Sequence, residues 1–202
     1  MDKKSFLIIL ISPSAGGKSA ILRRVLDECE NVGYSISYTT RKPRSNERKG
    51  VDYHFISESE FKELKAAGDL LESADVHGCW YGTSRRFIES ELQKGRHIIM
   101  DIDVQGAKQI LQQDIEVVTI FIIPPDISVL TKRLNDRGTD SPKEIEIRLQ
   151  NASKEMEEIT HFDYLVINDD FETAVREVIE IIRVEEKKIE RFTNIKNKFY
   201  GG

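Results

Sequence analysis

Eight residues near the start of the chain, Ser12-Pro13-Ser14-Ala15-Gly16-Gly17-Lys18-Ser19, have the types and spacing to do phosphate chemistry. A loop of small residues can turn its backbone N–H groups inward onto phosphate oxygens, and a helix starting at its end adds the positive pole of its dipole. Lys18 would reach the outer phosphates, and the Ser19 hydroxyl could meet a magnesium ion. The spacing is that of a phosphate loop except at its first position, where Ser12 stands in place of glycine. Ser12 carries a Cβ, so the first bend must avoid backbone angles that only glycine tolerates. A plainer reading, a glycine-rich turn with Ser19 as a helix cap, is weakened by the flanks. Residues 6–11 are an unbroken apolar run, and Ile21, Leu22, Val25 and Leu26 follow at helical spacing. Strand, loop and helix in that order read as a doubly covered parallel strand feeding a phosphate site.

Three other sets of residues could serve such a site. Asp101 ends the apolar run His97-Ile98-Ile99-Met100, as does the acid that partners a phosphate loop through magnesium, directly or through water. Capping of a helix that starts near Val104 is the alternative role for Asp101. Asp103 follows two residues later. In Thr39-Thr40-Arg41-Lys42-Pro43-Arg44, two guanidinium groups stand three residues apart on a loop stiffened by proline, and could seize a second, separate phosphate. A solvated basic face is equally compatible with that composition, in which Glu47 is the single acid of residues 39–50. Arg133, Arg137 and Arg148 lie in a helical region, and the first two share a helix face. They suit a mobile lid that brings positive charge to a transferring phosphoryl group, or simple pairing with Asp136, Glu144 and Glu146.

The elements that must position these groups alternate in type. Helix is expected from Lys18 to about Glu30, strand from Tyr34 to Tyr38 and from Asp52 to Ile56, and a helix after Ser57 with Glu60 completing a capping box. Strands at residues 70–76 and 79–81 meet at Gly78, and Thr83 or Ser84 caps a helix that Gly95 ends. Buried strands follow at residues 97–101, 116–123 and 164–167, with two helices between Asp126 and Ile159. A last helix from Asp170 carries an apolar stripe expected to run through Ile182 and Ile189 to Phe192, with a fraying basic tail beyond. Alternating strands and helices imply an α/β fold with a parallel sheet, its ligands at the carboxyl ends of the strands. Residues 35–95, shorter and richer in strand, read as an inserted lobe.

Composition narrows the function further. With 202 residues, 39% of them hydrophobic, there is material for one sizeable core. A net charge of −5 argues against sequence-blind binding of nucleic acid or anionic membrane. Two distant cysteines, Cys29 and Cys79, lack metal-ligand spacing, and no segment approaches the ~20 apolar residues of a membrane span. A soluble cytoplasmic protein is the expectation, with monomer and homo-oligomer both open.

Several motifs in series resemble guanylate kinases: Ser37-Tyr38-Thr39-Thr40-Arg41-Lys42-Pro43-Arg44, Gly50-Val51-Asp52-Tyr53-His54-Phe55, Gly78-Cys79-Trp80-Tyr81-Gly82-Thr83, Asp101-Ile102-Asp103-Val104-Gln105-Gly106 and Arg137-Gly138-Thr139. The resemblance runs in the same order from the phosphate loop to Asn168-Asp169-Asp170. It implies phosphorylation of GMP, and of dGMP, to the diphosphate by ATP with Mg2+, within purine metabolism. It also implies a P-loop three-layer core (about residues 1–34, 96–125 and 155–202), a mixed α/β nucleotide-monophosphate lobe (35–95) and a helical lid (126–154). By the resemblance, Ser37, Arg41, Arg44, Tyr53 and Tyr81 hold the GMP phosphate, while Glu72, Thr83 and Asp103 read guanine. Ser12 to Ala20 surround the ATP phosphates, with Lys18, Arg133, Arg137 and Arg148 clamping the donor and transferred groups and Asn168 beside adenine. Ser19 and Asp101 would hold the metal. His54 and His77 are expected to be structural. The chain departs from the pattern at Ser12, Ala15, Ala20, Ser45-Asn46 and Cys79-Trp80, and Ala20 in particular bears on ATP affinity. A guanylate-kinase-like interaction module that binds phosphorylated peptides is the rival reading; such modules typically lose the donor site, whereas Lys18 is present here.

Overall fold

The computed structural model describes residues 2–44, 47–76, 78–136, 138 and 141–200. Strands β1 to β11 span Asp2–Lys3, Leu7–Ile11, Val32–Tyr34, Tyr38–Thr39, His54–Phe55, Leu70–Val76, Cys79–Ser84, His97–Asp101, Val117–Ile123, Tyr164–Ile167 and Phe192–Thr193. Helices α1 to α8 span Lys18–Glu28, Glu58–Ala66, Arg85–Gln93, Val104–Leu111, Ile127–Asp136, Pro142–Glu157, Phe171–Glu185 and Ile195–Phe199.

The apolar run at residues 7–11 is the middle strand of a five-stranded parallel sheet ordered β10-β9-β2-β8-β3. Its side chains alternate between the two faces, as strand geometry demands. Ile8 and Leu10 join Ile21, Leu22 and Val25 of α1 and Val175, Val178 and Ile182 of α7. Leu7, Ile9 and Ile11 join Ile88 of α3, Ala107 and Ile110 of α4, and Leu71 of β6. Burial on both faces explains why β2 shows no polar alternation, and the arrangement is a three-layer α/β core. A second sheet, ordered β5-β4-β7-β6, is mixed: β4 and β5 run parallel, and the other neighbours are antiparallel. The capping box forms at Ser57 and Glu60, and Ser84 rather than Thr83 caps α3.

Three expectations need correction, the simplest being the tail, which does not fray after Phe192 but pairs with β1 and continues as α8. The strand anticipated at residues 34–38 divides: Val32–Tyr34 pairs with β8 in the core sheet, whereas Tyr38–Thr39 pairs with β5 and β7 in the second sheet. The chain crosses between sheets there, so high β propensity persists while the hydrogen-bond partner changes. The stripe of the last helix stops at Ile182, and Ile189 is 82% exposed. After α7 the chain turns so that Arg191, only 3% exposed, goes inward in its stead. Its guanidinium lies over the Phe6 ring and pairs with Glu116 at 2.6 Å and the buried Glu185 at 3.1 Å. Glu185 also accepts from the Tyr164 hydroxyl and meets Lys188. This cluster brings β11 back against β1. Arg191→Met should therefore lower unfolding free energy by about 3 kcal/mol, because it leaves Glu185 short of its buried cation; a chemical-denaturation loss under about 1 kcal/mol would show the cluster to be dispensable.

Among the described residues, no helix is long and apolar enough to cross a membrane.

Candidate active site

The phosphate loop joins β2 to α1 at the carboxyl end of the middle strand, where an α/β sheet presents its ligand crevice. Gly17 occupies the cap position of α1 with φ 99°, and no side chain caps the helix. The amide of Gly16 donates to the Pro13 carbonyl at 2.9 Å, closing a tight turn. A Cβ on Gly16 would lie 2.0 Å from the Ser12 hydroxyl and 3.1 Å from the Pro13 carbonyl, so a larger residue there would have to displace the Ser12 side chain. Ser12 itself needs no left-handed backbone, which is how a residue with a Cβ serves at the first loop position. Ala15 does sit at φ 69°, a conformation costing roughly 1–2 kcal/mol for a residue with a Cβ. In return its methyl packs against Leu130, Leu134 and Ala152 of α5 and α6. Ala15→Gly should thus relieve strain but loosen that contact, leaving overall stability within about 1 kcal/mol while α5 and α6 become more open to amide exchange.

Side chains from three separate segments converge on this loop. Lys18 Nζ donates to the Ile102 carbonyl at 3.0 Å. Arg148 of α6 donates to Ser14 Oγ at 2.6 Å. Arg133 of α5 reaches the Asn168 carbonyl at 2.9 Å and the Gly16 carbonyl at 3.5 Å. Asn168, 4% exposed, donates its side-chain amide to the Gly16 carbonyl at 2.8 Å and would lie 2.1 Å from a Cβ on Gly17. Two arginines from α5 and α6 are therefore attached to the loop they were expected to serve. Arg137 lies outside the described residues, as do Thr139, His77, Ser45 and Asn46.

Ser19 and Asp101 line one cavity of about 790 Å³ with Tyr34, Tyr53 and Arg44. Tyr34 donates to Asp101 Oδ1 at 2.8 Å, and burial beside that carboxylate raises the phenol far above its ordinary range, so it remains a donor. The helix-capping role considered for Asp101 belongs to Asp103, whose Oδ1 accepts the Gly106 amide at 2.8 Å at the start of α4.

The second sheet carries the other group of residues. Arg41 Nε donates to the Tyr81 hydroxyl at 3.1 Å, and the guanidinium stands 5.4 Å from the Tyr53 ring centre. Its fork grips Glu47 at 2.7 and 3.0 Å, and Glu47 also accepts the Arg44 amide at 2.8 Å. The Arg41 guanidinium holds the Glu47 carboxyl below its usual range. Burial pushes the Tyr53 phenol up to about 12. Ser37 contributes its carbonyl to the His54 amide, tying β5 to the start of β4.

Glu72 and Thr83 face each other across the β6–β7 pair, and Thr83 Oγ1 donates to Glu72 Oε1 at 2.8 Å. Glu72 is 4% exposed, and burial with Asp103 nearby pushes its carboxyl up to about 7. Its Oε2 would lie 2.8 Å from a Cβ on Gly106, so a glycine inside α4, unfavourable for the helix by roughly 1 kcal/mol, lets the second sheet approach the core. Gln109 of the same helix bonds both backbone groups of Ser73 at 3.0 and 2.9 Å.

One further cleft, about 640 Å³, brings the two groups of residues together: Ser12, Ser14 and Arg148 line it with Arg44, Tyr81 and Asp103. Arg44 borders both cavities. Sequence reasoning did not assign roles to Tyr34, Glu47 or Gly106. Glu47 left a usable signal, being the lone acid in a basic stretch; Tyr34 left none, since Asp101 is 67 residues away.

Comparison with known proteins gives a consistent answer. The family description "Guanylate kinase" matches residues 4–185. A guanylate kinase of Methylobacillus flagellatus is 44% identical over 199 residues, spanning 96% of this chain and 98% of that protein. One from Thermotoga maritima is 40% identical over 188 residues, covering 93% and 91%. Among solved structures, guanylate kinase from Anaplasma phagocytophilum superposes with a TM-score of 0.81 at 30% identity, over 97% of this chain and 94% of that one. With a phosphate loop, an arginine–tyrosine group and the buried carboxylate of Glu72 in one fold, and with these likenesses over nearly its full length, the chain belongs to the guanylate kinase family.

Proposed function

We propose that the protein transfers the γ-phosphoryl group of ATP to the phosphate of GMP, giving ADP and GDP. The observation that carries this reading is the cleft lined both by Ser12, Ser14 and Arg148 and by Arg44, Tyr81 and Asp103, which brings a phosphate loop and a second set of phosphate-binding residues into one space for two anionic ligands. A GMP phosphate oxygen attacks the γ-phosphorus, and the bond from that phosphorus to the β-bridging oxygen breaks. The attacking oxygen is already anionic, so no proton-abstracting residue is required, and catalysis consists of positioning and charge stabilisation. Lys18, Arg133, Arg137 and Arg148 serve the donor and transferred phosphates, Ser12 to Ala20 enclose the donor, and Asn168 supports the loop beside adenine. Ser37, Arg41, Arg44, Tyr53 and Tyr81 hold the acceptor phosphate.

Guanine presents a ring N–H beside an amino group, two donors that suit the carboxylates of Glu72 and Asp103, with Thr83 alongside. Adenine places an acceptor there, which a carboxylate repels. dGMP serves as an acceptor too in this reading, because it carries the same guanine and phosphate that these groups engage. The donor set at Ser19 and Asp101, a hydroxyl and a carboxylate on one cavity wall, fits Mg2+, which favours hard oxygen ligands and leaves positions for substrate phosphates. When bound there, Mg2+ would neutralise charge on the donor phosphates. Tyr34 would orient the Asp101 carboxylate for that task. Residues 35–95 act as the GMP lobe and residues 126–154 as the lid on the core. The protein works in purine nucleotide metabolism in the cytoplasm, a setting that suits the unpaired Cys29 and Cys79.

The test is ADP release from MgATP with each of the four nucleoside monophosphates. GMP should be turned over at least about 10³-fold more efficiently than AMP. Equal turnover of the two would overturn the assignment of Glu72 and Asp103.

A further inference from the structure

Helix α6 carries an acid for which phosphate transfer has no evident use. Glu155 follows Arg148 by seven residues, two helical turns, and so lies on the same face. That face is fastened to the phosphate loop at two points, through Arg148 on Ser14 Oγ and through Ala152 packed with Ala15. Glu155 lines the cleft, and its Oε2 is buried with no hydrogen-bond partner among the described residues. A buried carboxylate oxygen without a donor is costly, and it sits here in a site meant for polyanions. The cation it faces is Lys18 of α1, and the anion it faces is Asp103 at the start of α4. Arg44 and Asp75 line the same cleft from the second sheet, and Arg148, Lys154 and Glu158 from α6 itself.

We propose that Glu155 is a positioning residue that holds the place of the donor phosphates, supplying negative charge opposite Lys18 before ATP binds and taking up one proton from solvent when ATP arrives. Lys18 spends one of its three N–H groups on the Ile102 carbonyl, so two remain to be drawn towards an anion. In the empty cleft that anion is Glu155. ATP brings several negative charges to the same spot and engages Lys18, so an ionised Glu155 would face uncompensated repulsion. Protonation removes the repulsion, with no bond to ATP changed. Burial and Asp103 push the Glu155 carboxyl up to about 7, so the proton is within reach at neutral pH. The sign follows: ATP affinity falls as pH rises through about 7, because the empty form then holds an ionised acid that binding must neutralise.

This inference rests on the phosphate loop being the donor site, and the experiment separates the two. Calorimetric titration with the β,γ-imido analogue of ATP and Mg2+, in buffers of differing ionisation heat at pH 7.5, reads protons taken up on binding. The wild-type protein should absorb a measurable fraction of a proton. Glu155→Gln, which keeps shape and removes the charge, should lose that fraction and bind the analogue about three- to tenfold tighter at pH 8 but equally at pH 6. Glu155→Asp, which restores the acid, should recover part of the uptake. Unchanged uptake and affinity in a folded Glu155→Gln protein would overturn the proposal and leave the donor site standing. Analogue binding that persists undiminished in Lys18→Ala would instead overturn the donor-site reading.

Discussion

Lys18→Ala should lower turnover by about 10³-fold or more, roughly 4 kcal/mol of transition-state stabilisation, while GMP affinity stays within about threefold of the parent. The asymmetry follows from where the lysine stands. Its ammonium bonds the Ile102 carbonyl and carries no packing of the core, so truncation leaves the sheet and α1 intact. The groups proposed for GMP sit mainly on the second sheet, and none of their printed hydrogen bonds runs to Lys18. A point charge aimed at donor phosphates in a partly closed site is worth more in the transition state than in bound substrate, so kcat should fall and the GMP dissociation constant should not. Single-turnover kinetics beside equilibrium titration of GMP would check this, and retained turnover would sink the donor-site assignment.

Glu72→Gln should cost about 10²- to 10³-fold in kcat/KM for GMP, and the preference for GMP over AMP should shrink with it. The change is nearly isosteric, and Thr83 can still donate to the remaining oxygen. What is lost is an acceptor facing guanine's donors, replaced by an amide that can present N–H to N–H. The same substitution should stabilise the empty protein at alkaline pH. Burial raises the Glu72 carboxyl to about 7, above its ordinary value, so its ionised form is disfavoured in the folded chain. Such a group's contribution is fully present at pH below the ordinary carboxylate range and lost as pH rises through about 7. Unfolding free energies of parent and variant should therefore agree near pH 4 and below, with the variant ahead by pH 8 by an amount of order a few kcal/mol at most. A variant less stable than its parent at pH 8 would mean that Glu72 supports the fold, and base selection would need a different source.

Much of this architecture is legible in the chain because its signals are local. The apolar run at residues 7–11 can only be a strand covered on both faces, and the Ser57–Glu60 box and the glycine after the 85–93 helix mark ends through their own backbone chemistry. Harder to read are features that depend on which distant partner wins. Residues 32–39 are strand-forming throughout, yet the chain changes sheets among them, which propensity does not register. Helical spacing continues to Ile189, but an inward arginine between two acids outweighs it. The site shows the same division. The phosphate loop is legible as spacing, whereas the grip of Glu47 on Arg41, the hydroxyl of Tyr34 on Asp101 and the room that Gly106 leaves for Glu72 exist only once the segments meet. Each is a contact between side chains whose types were plain and whose meeting was not.

Residues 2–3 and 192–193 lie side by side, paired at the foot of the middle strand, while the ligand crevice opens at its head. A linker, a fluorescent label or a solid support attached at that foot should therefore leave nucleotide traffic unobstructed. A circularly permuted chain sealed there and cut in an exposed loop should assemble the same mouth.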